Sequence, residues 1–187
     1  MVRQKISGRR TSLAAAFVRA VIPHHTDRDR QKRLLEAAGI NVAESVYCGA
    51  KATDWDHLFG LVKDGRPSGY YHQPENLVPS CGPCNQSKGG ADWLVWMRGK
   101  ARHSPACRKI KDIDDRVARL SSFQAIANLA AEPQAEFRQR VGEQLWDAYW
   151  AKLQVISRLL VEADLAATQI RLLANRPIAP DPVDAGL

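Results

Sequence analysis

Cys81-Gly82-Pro83-Cys84 is the chain's one closely spaced cysteine pair, and it lies in a segment, Glu44 to Gly90, that differs from everything around it. Two cysteines separated by two residues, with a glycine and a proline between them, form a tight knuckle that points both thiols at one ion. Cys48 lies in the same segment, among short β-prone pieces and several glycines and prolines, whereas the sequence on either side has helical periodicity. These patterns predict an α+β fold: a small metal-holding core embedded in mostly helical N- and C-terminal regions. The expected division is 1–43 as a basic helical arm, 44–100 as the core, and 101–187 as a helical region suited to binding or dimerisation.

Two helices are predicted in the arm, about Thr11 to Val21 and Thr26 to Ala38, separated by Pro23. Thr26 or Asp27 can cap the second, and Gly39 can end it in the left-handed conformation. Ala91 to Lys100 is helix-like, and a further helix follows Asp112. Trp93 and Trp96 read as core residues rather than base-stacking ones. From Glu132 to about Asn175 the pattern supports a long helix with a break near Gly142. Leu145, Tyr149, Leu153, Ile156 and Leu160 form its apolar stripe, expected to pack on the chain's own core in preference to a subunit interface. The tail after Arg176 has three prolines in a short span and is expected to fray.

A net charge of +7 favours an anionic partner, because clustered Lys and Arg attract phosphate and release its counterions on contact. Charge by itself does not select DNA. The opening Arg9-Arg10 before a short Ala-rich run imitates an export signal, but Arg19 interrupts the apolar segment, and an amphipathic helix fits better. With no stretch apolar for long enough to span a bilayer and no disulfide-like cysteine frame, a cytoplasmic protein without membrane contact is expected.

Within the core three pieces stand in order: Tyr47-Cys48-Gly49, then Trp55-Asp56-His57-Leu58, then Glu75-Asn76-Leu77 running through Cys81-Gly82-Pro83-Cys84 to Asn85-Gln86-Ser87-Lys88. Hydrolysis of a phosphodiester needs an activated water, neutralisation of the phosphoryl oxygens and stabilisation of the departing oxygen. His57 titrates near neutrality and can take the water's proton, while Asp56 and the amide carbonyl of Asn85 offer hard oxygens to a divalent cation. The ordered combination resembles the HNH, or ββα-metal, endonuclease family over about residues 44 to 90. The resemblance implies His57 as general base, Asp56 and Asn85 as ligands of a catalytic Mg²⁺ or Mn²⁺, Asn76 as the residue bracing the loop that orients His57, and Lys88 facing phosphate. Asn85 stands where the family name puts its last histidine, and the proline usual after Asp-His is replaced by Leu58.

Zinc-bearing members of that family resemble Cys-x-x-Cys on both sides of the Asp-His, but Ser45 occupies the first position here. Cys48, Cys81 and Cys84 therefore leave a structural Zn²⁺ one ligand short, with Cys107 as the candidate fourth and His72 or His103 as alternatives. Arg98, Lys100, Arg102, Arg108 and Lys109 follow the knuckle closely, and Arg28, Arg30, Lys32 and Arg33 crowd the arm; both groups are candidate phosphate contacts. His24 and His25 read as a loop pair without a role.

The expectation from sequence is a restriction-type endonuclease acting on double-stranded DNA, with dimerisation available to the long C-terminal helix. The competing readings are a nicking, homing or non-specific nuclease, and a DNA-binding module that uses metal only for stability.

Overall fold

In the computed structural model, which describes residues 5–176, two small antiparallel sheets are set among helices. A 3₁₀ turn at Ile6–Arg9 leads into α1 (Arg10–Val21), followed by α2 (Arg28–Ala37), β1 (Asp54–His57), β2 (Val62–Lys63) and β3 (Arg66–Pro67). A second 3₁₀ turn, Pro74–Asn76, precedes β4 (Leu77–Ser80), and then come α3 (Gly82–Lys88), α4 (Trp93–Met97), α5 (Ile113–Ala127), α6 (Gln134–Val141) and α7 (Glu143–Ala174). The α+β class expected from the pattern is the class observed. The expected fraying after Arg176 concerns residues outside those described.

Local chemistry accounts for the helix ends. Asp27 caps α2 by accepting from the Arg30 N–H at 2.8 Å, and Asp92 caps α4 by accepting from Val95 at 2.9 Å, each satisfying a donor that the first turn leaves free. Gly39 follows α2 with a positive φ of 65°. The long C-terminal helix breaks at Gly142, whose φ of 92° is outside the reach of most L residues, so α6 and α7 are separate.

β1 pairs with β4 in a register that sets Asp56 opposite Val78 and His57 opposite Leu77. All four residues of β4 are buried, and α3 follows it directly, so the strand pair and helix form a compact ββα unit. The β2–β3 hairpin lies within the connection between them.

Two apolar clusters hold the molecule together. In the first, Tyr47, Leu58, Val78, Cys84, Trp96 and Met97 of the middle segment pack with Leu35 of α2 and Leu120 and Phe123 of α5. The sequence boundaries at 43 and 100 thus fall within a shared core. Trp93 and Trp96 are buried there as expected, with their ring N–H groups donating to Gln124 and Ser87. The second cluster joins Val18 of α1 and Phe137 of α6 to Trp146, Trp150 and Leu153 of α7.

The stripe expected on the last helix packs inward at Tyr149 and Leu153 but not at Leu145 or Ile156. Leu145 is 69% exposed, while Trp146 and Trp150 are buried, because burying the two indoles removes more apolar surface than burying the leucine one position away. Ile156 is also exposed, and the inward face of α7 ends at Leu153.

Candidate active site and thiol cluster

Asp56 and His57 are consecutive on β1, so the strand's alternation sends their side chains to opposite faces. Even so, both line one cleft of about 500 Å³, together with Asn85 of α3, Gly60, Gly89 and Gly90, and the Thr11, Ala15 and Arg19 face of α1. Gly60 permits the wall to close, since a Cβ there would lie 2.9 Å from the Gly90 Cα.

Asp56 is only 4% exposed. Its Oδ2 accepts from the Tyr47 hydroxyl at 2.8 Å and lies 3.1 Å from the Lys88 ammonium. Burial pushes the carboxyl above its usual range, opposed by Lys88 and Tyr47, and burial also pulls Lys88 below its own. Lys88 is the main departure from expectation. Its side chain is fully buried and also donates to the carbonyls of His57 at 2.7 Å and Gly89 at 3.2 Å, so it supports Asp56 and does not face a phosphate. The cation that does line the cleft is Arg19, which is exposed and has no ion-pair partner among the described residues.

Asn76 is fully buried, and its side-chain amide bonds to the main chain of the loop that follows His57. Its Oδ1 accepts from the Phe59 N–H at 2.8 Å, and its Nδ2 donates to the carbonyls of Phe59 and Tyr71 at 3.0 and 3.1 Å. Leu58 N–H, next to His57, donates to the Asn76 carbonyl at 2.8 Å. One amide therefore fixes both ends of the connection between β1 and β4. The Asn85 side chain has no hydrogen-bond partner among the described residues and stays open to the cleft.

Sequence reading missed the partners of His57. Its Nε2 lies 3.0 Å from Nδ1 of His72, and the ring of His24 stacks on His72 with centroids 3.7 Å apart. A main-chain bond from His25 N–H to the His72 carbonyl at 2.7 Å ties the arm to this loop. Burial is the largest influence on His57, followed by the charges of His72, Lys88, Arg19 and His24; together they lower its pKa to about 4 and keep the ring neutral near pH 7. No spacing rule links positions 24, 57 and 72, since only the tertiary fold brings them together.

Behind the cleft, Cys48, Cys81 and Cys84 bring their three sulfurs within 4.8 Å of one another, with the Cys48 and Cys81 sulfurs 3.7 Å apart. This group could hold a metal ion. A hydrogen bond from Cys84 is the largest influence drawing Cys48 down to about 4, against burial and with help from the Ala50 backbone and the Ser45 and Arg108 side chains. Cys84 moves up in response. The proposed fourth ligands lie elsewhere: Cys107 is exposed and outside the group, His72 is committed to His57, and His103 is not among the clustered ligands. The guanidinium of Arg108 lies 3.6 Å from the Cys84 sulfur, and Ser45 beside Cys48 is fully buried.

Among the other basic candidates, Arg98 pairs with Asp114 at 2.7 Å and Arg30 with Glu75, while Lys100, Arg102 and Lys109 are exposed. In comparisons with family models, curated proteins and solved structures, nothing matches the chain. No helix among the described residues is long and apolar enough to cross a membrane.

Proposed function

We propose that the chain is a metal-dependent endonuclease of the HNH type, hydrolysing phosphodiester bonds of double-stranded DNA. The observation that carries this reading is the convergence of Asp56, His57 and Asn85 on one cleft bordered by Arg19, which has no ion-pair partner among the described residues. A carboxylate, an amide and room for water and phosphate are the donor set Mg²⁺ or Mn²⁺ takes, and Asp56 and Asn85 are the residues that would hold it. When bound, that ion polarises the phosphoryl oxygens and the leaving group.

The chain's own residues supply the rest. Neutral His57 accepts the proton of the attacking water on the nitrogen not engaged by His72. The approach of an anionic phosphodiester raises the basicity of the ring, because a nearby negative charge favours the imidazolium. Arg19 takes the phosphate-facing role that sequence suggested for Lys88, and its forked guanidinium suits a phosphodiester. Lys88 and Tyr47 hold Asp56 in place, and Asn76 holds the loop.

Cys48, Cys81 and Cys84 would hold a structural Zn²⁺ that stabilises the ββα unit and takes no part in hydrolysis. Lys100, Arg102 and Lys109 supply exposed positive charge for the flanking DNA backbone. Sequence-specific, restriction-type cutting suits a chain with most of its residues outside the ββα unit.

The test is incubation of purified protein with supercoiled plasmid and Mg²⁺ or Mn²⁺, with a chelator control, followed by sequencing of the ends. The expected product is linear DNA with 5′-phosphate and 3′-hydroxyl ends, formed only with added metal. Intact plasmid under all metal conditions overturns the reading, and open circles alone identify a nicking enzyme.

A further inference from the structure

Beyond Leu153 the buried face of α7 ends, yet the helix continues for some twenty residues with large apolar side chains in solvent. Ile156, Leu159, Ala163, Ala166, Ile170 and Leu173 follow one another in steps of three and four, the spacing of a coiled-coil seam. Ile156, Leu159, Ile170 and Leu173 are 36%, 54%, 66% and 59% exposed. The next positions in the same rhythm are Lys152 on one side and Pro177 on the other, so the seam has definite ends and a length of about 26 Å at 1.5 Å per residue.

The chain covers a different face of this helix. Asp164 accepts from the backbone N–H groups of Ile6 and Ser7 at 2.8 and 3.0 Å, which seats the N-terminal 3₁₀ turn away from the seam. A 3.5-residue repeat is complementary to another helix carrying the same repeat over a similar length. Within the described residues no such helix is spare: α5 spans 15 residues and already buries Leu120, Phe123 and Ala127, and α1 to α4 and α6 are shorter. Residues 177–187 contain three prolines and no second repeat of this kind.

Charge narrows the occupant further. Arg158, Glu162, Asp164 and Arg171 balance along this half of the helix, which does not suit DNA or an anionic lipid surface, since both select a basic polar face. In a parallel pair the residues flanking the seam meet as Val155 with Leu160, Glu162 with Ala167 and Gln169 with Ala174, so no like charges oppose. Isoleucine at the first seam position and leucine at the second favour two parallel strands, while Ala163 and Ala166 let the helices approach closely.

We infer that residues 156–173 of α7 form a parallel two-stranded coiled coil with the same segment of a second copy of this chain. The dimer does not depend on the nuclease reading. Sedimentation equilibrium of the full chain between about 1 and 100 μM is expected to give twice the 20.8 kDa chain mass at the upper concentrations. Leu159→Glu and Ile170→Lys, each at an exposed position, should return the mass to that of one chain with far-ultraviolet circular dichroism unchanged. With Cys107 replaced by serine, Leu173→Cys should cross-link between chains under mild oxidation, because a parallel seam sets that position beside itself.

A monomer throughout the range overturns the proposal, whether the stripe is then covered by residues 177–187 or by another protein. A dimer that both charged variants leave intact places the interface elsewhere and also overturns it. A dimer that dissociates with the variants but fails to cross-link through Leu173→Cys overturns the parallel arrangement.

Discussion

His57 Nε2 and His72 Nδ1 lie 3.0 Å apart, and His72 is in turn covered by the ring of His24. This contact commits one nitrogen of His57, so the proposed nuclease reading assigns the proton of the attacking water to the other. His57→Ala should therefore lower plasmid cleavage by about 10²- to 10⁴-fold while the melting temperature and DNA retention in gel shifts stay near wild type. Cleavage within tenfold of wild type would remove His57 from the chemistry.

On the same proposed reading, His72 orients the His57 ring. His72→Ala should lower kcat more than it raises KM, because the ring it orients matters most when the proton is transferred. His72→Asn, which keeps a hydrogen-bonding group near the same place, should recover part of the loss. A purely structural role for His72 would instead move the melting temperature and show no rescue in kcat.

The buried pair of Lys88 and Asp56 makes a different prediction from the phosphate role the sequence suggested for Lys88. Removing one partner leaves an uncompensated buried charge, which typically costs about 3–5 kcal/mol. Lys88→Met should therefore destabilise the fold on that scale in urea titrations, and the double change with Asp56→Asn should recover much of it. Arg19→Ala should leave stability alone and weaken DNA binding, with a shallower salt dependence. If Lys88→Met melts like wild type and only catalysis suffers, the pair is not as the geometry places it.

Glu132 ties the loop bearing His72 to the linker before α6. It accepts a forked pair from Arg140 at 3.1 and 2.9 Å and a further bond from Tyr71, and its N–H donates to the Gly69 carbonyl at 3.0 Å. Arg140 holds its carboxyl below the ordinary 4.5, with Tyr71 assisting against burial. A carboxyl depressed in the folded state stabilises it above the unfolded value and loses that contribution as pH falls below 4.5 toward the folded one. Glu132→Gln should thus lower the melting temperature at pH 7 but flatten its fall as the pH drops below 4.5. An identical acid profile in both proteins would exclude Glu132 as the source. Gly69→Ala should be destabilising on its own, since φ there is 92° and a Cβ would meet the Glu132 carbonyl at 2.3 Å.

What could be read from sequence was whatever is local. The cap at Asp27, the break at Gly142 and the Cys81–Cys84 knuckle each depend on neighbours within a few residues or on a motif of fixed spacing. Contacts that only the tertiary fold creates were out of reach: His24 over His72, Arg19 on the cleft wall, and Tyr47 bonded to Asp56. Lys88 shows the limit most clearly. Its place after Asn85 suggested a phosphate contact, but one helical turn carries its ammonium inward to a buried carboxylate.

The thiol cluster lacks a fourth protein sulfur, and the structure indicates where one belongs. Ser45 is fully buried and its side chain faces Cys48 closely enough to help lower that thiol's pKa, so position 45 borders the group without completing it. Four thiolates close a tetrahedral zinc site, and structural zinc adds directly to folding free energy, about 10 kcal/mol or more in isolated peptides. Ser45→Cys should therefore tighten zinc and raise the melting temperature by less than that figure implies, because the two apolar clusters already support much of the fold. Cys84→Ser should release the metal and lower the melting temperature. Cys107→Ser should change neither, since Cys107 is exposed and apart from the three sulfurs. Elemental analysis and melting curves of the four proteins decide the matter. Zinc lost from Cys107→Ser would make Cys107 the fourth ligand after all, and a metal-free wild type whose melting is unmoved by Ser45→Cys with zinc supplied would leave the cluster as three packed thiols.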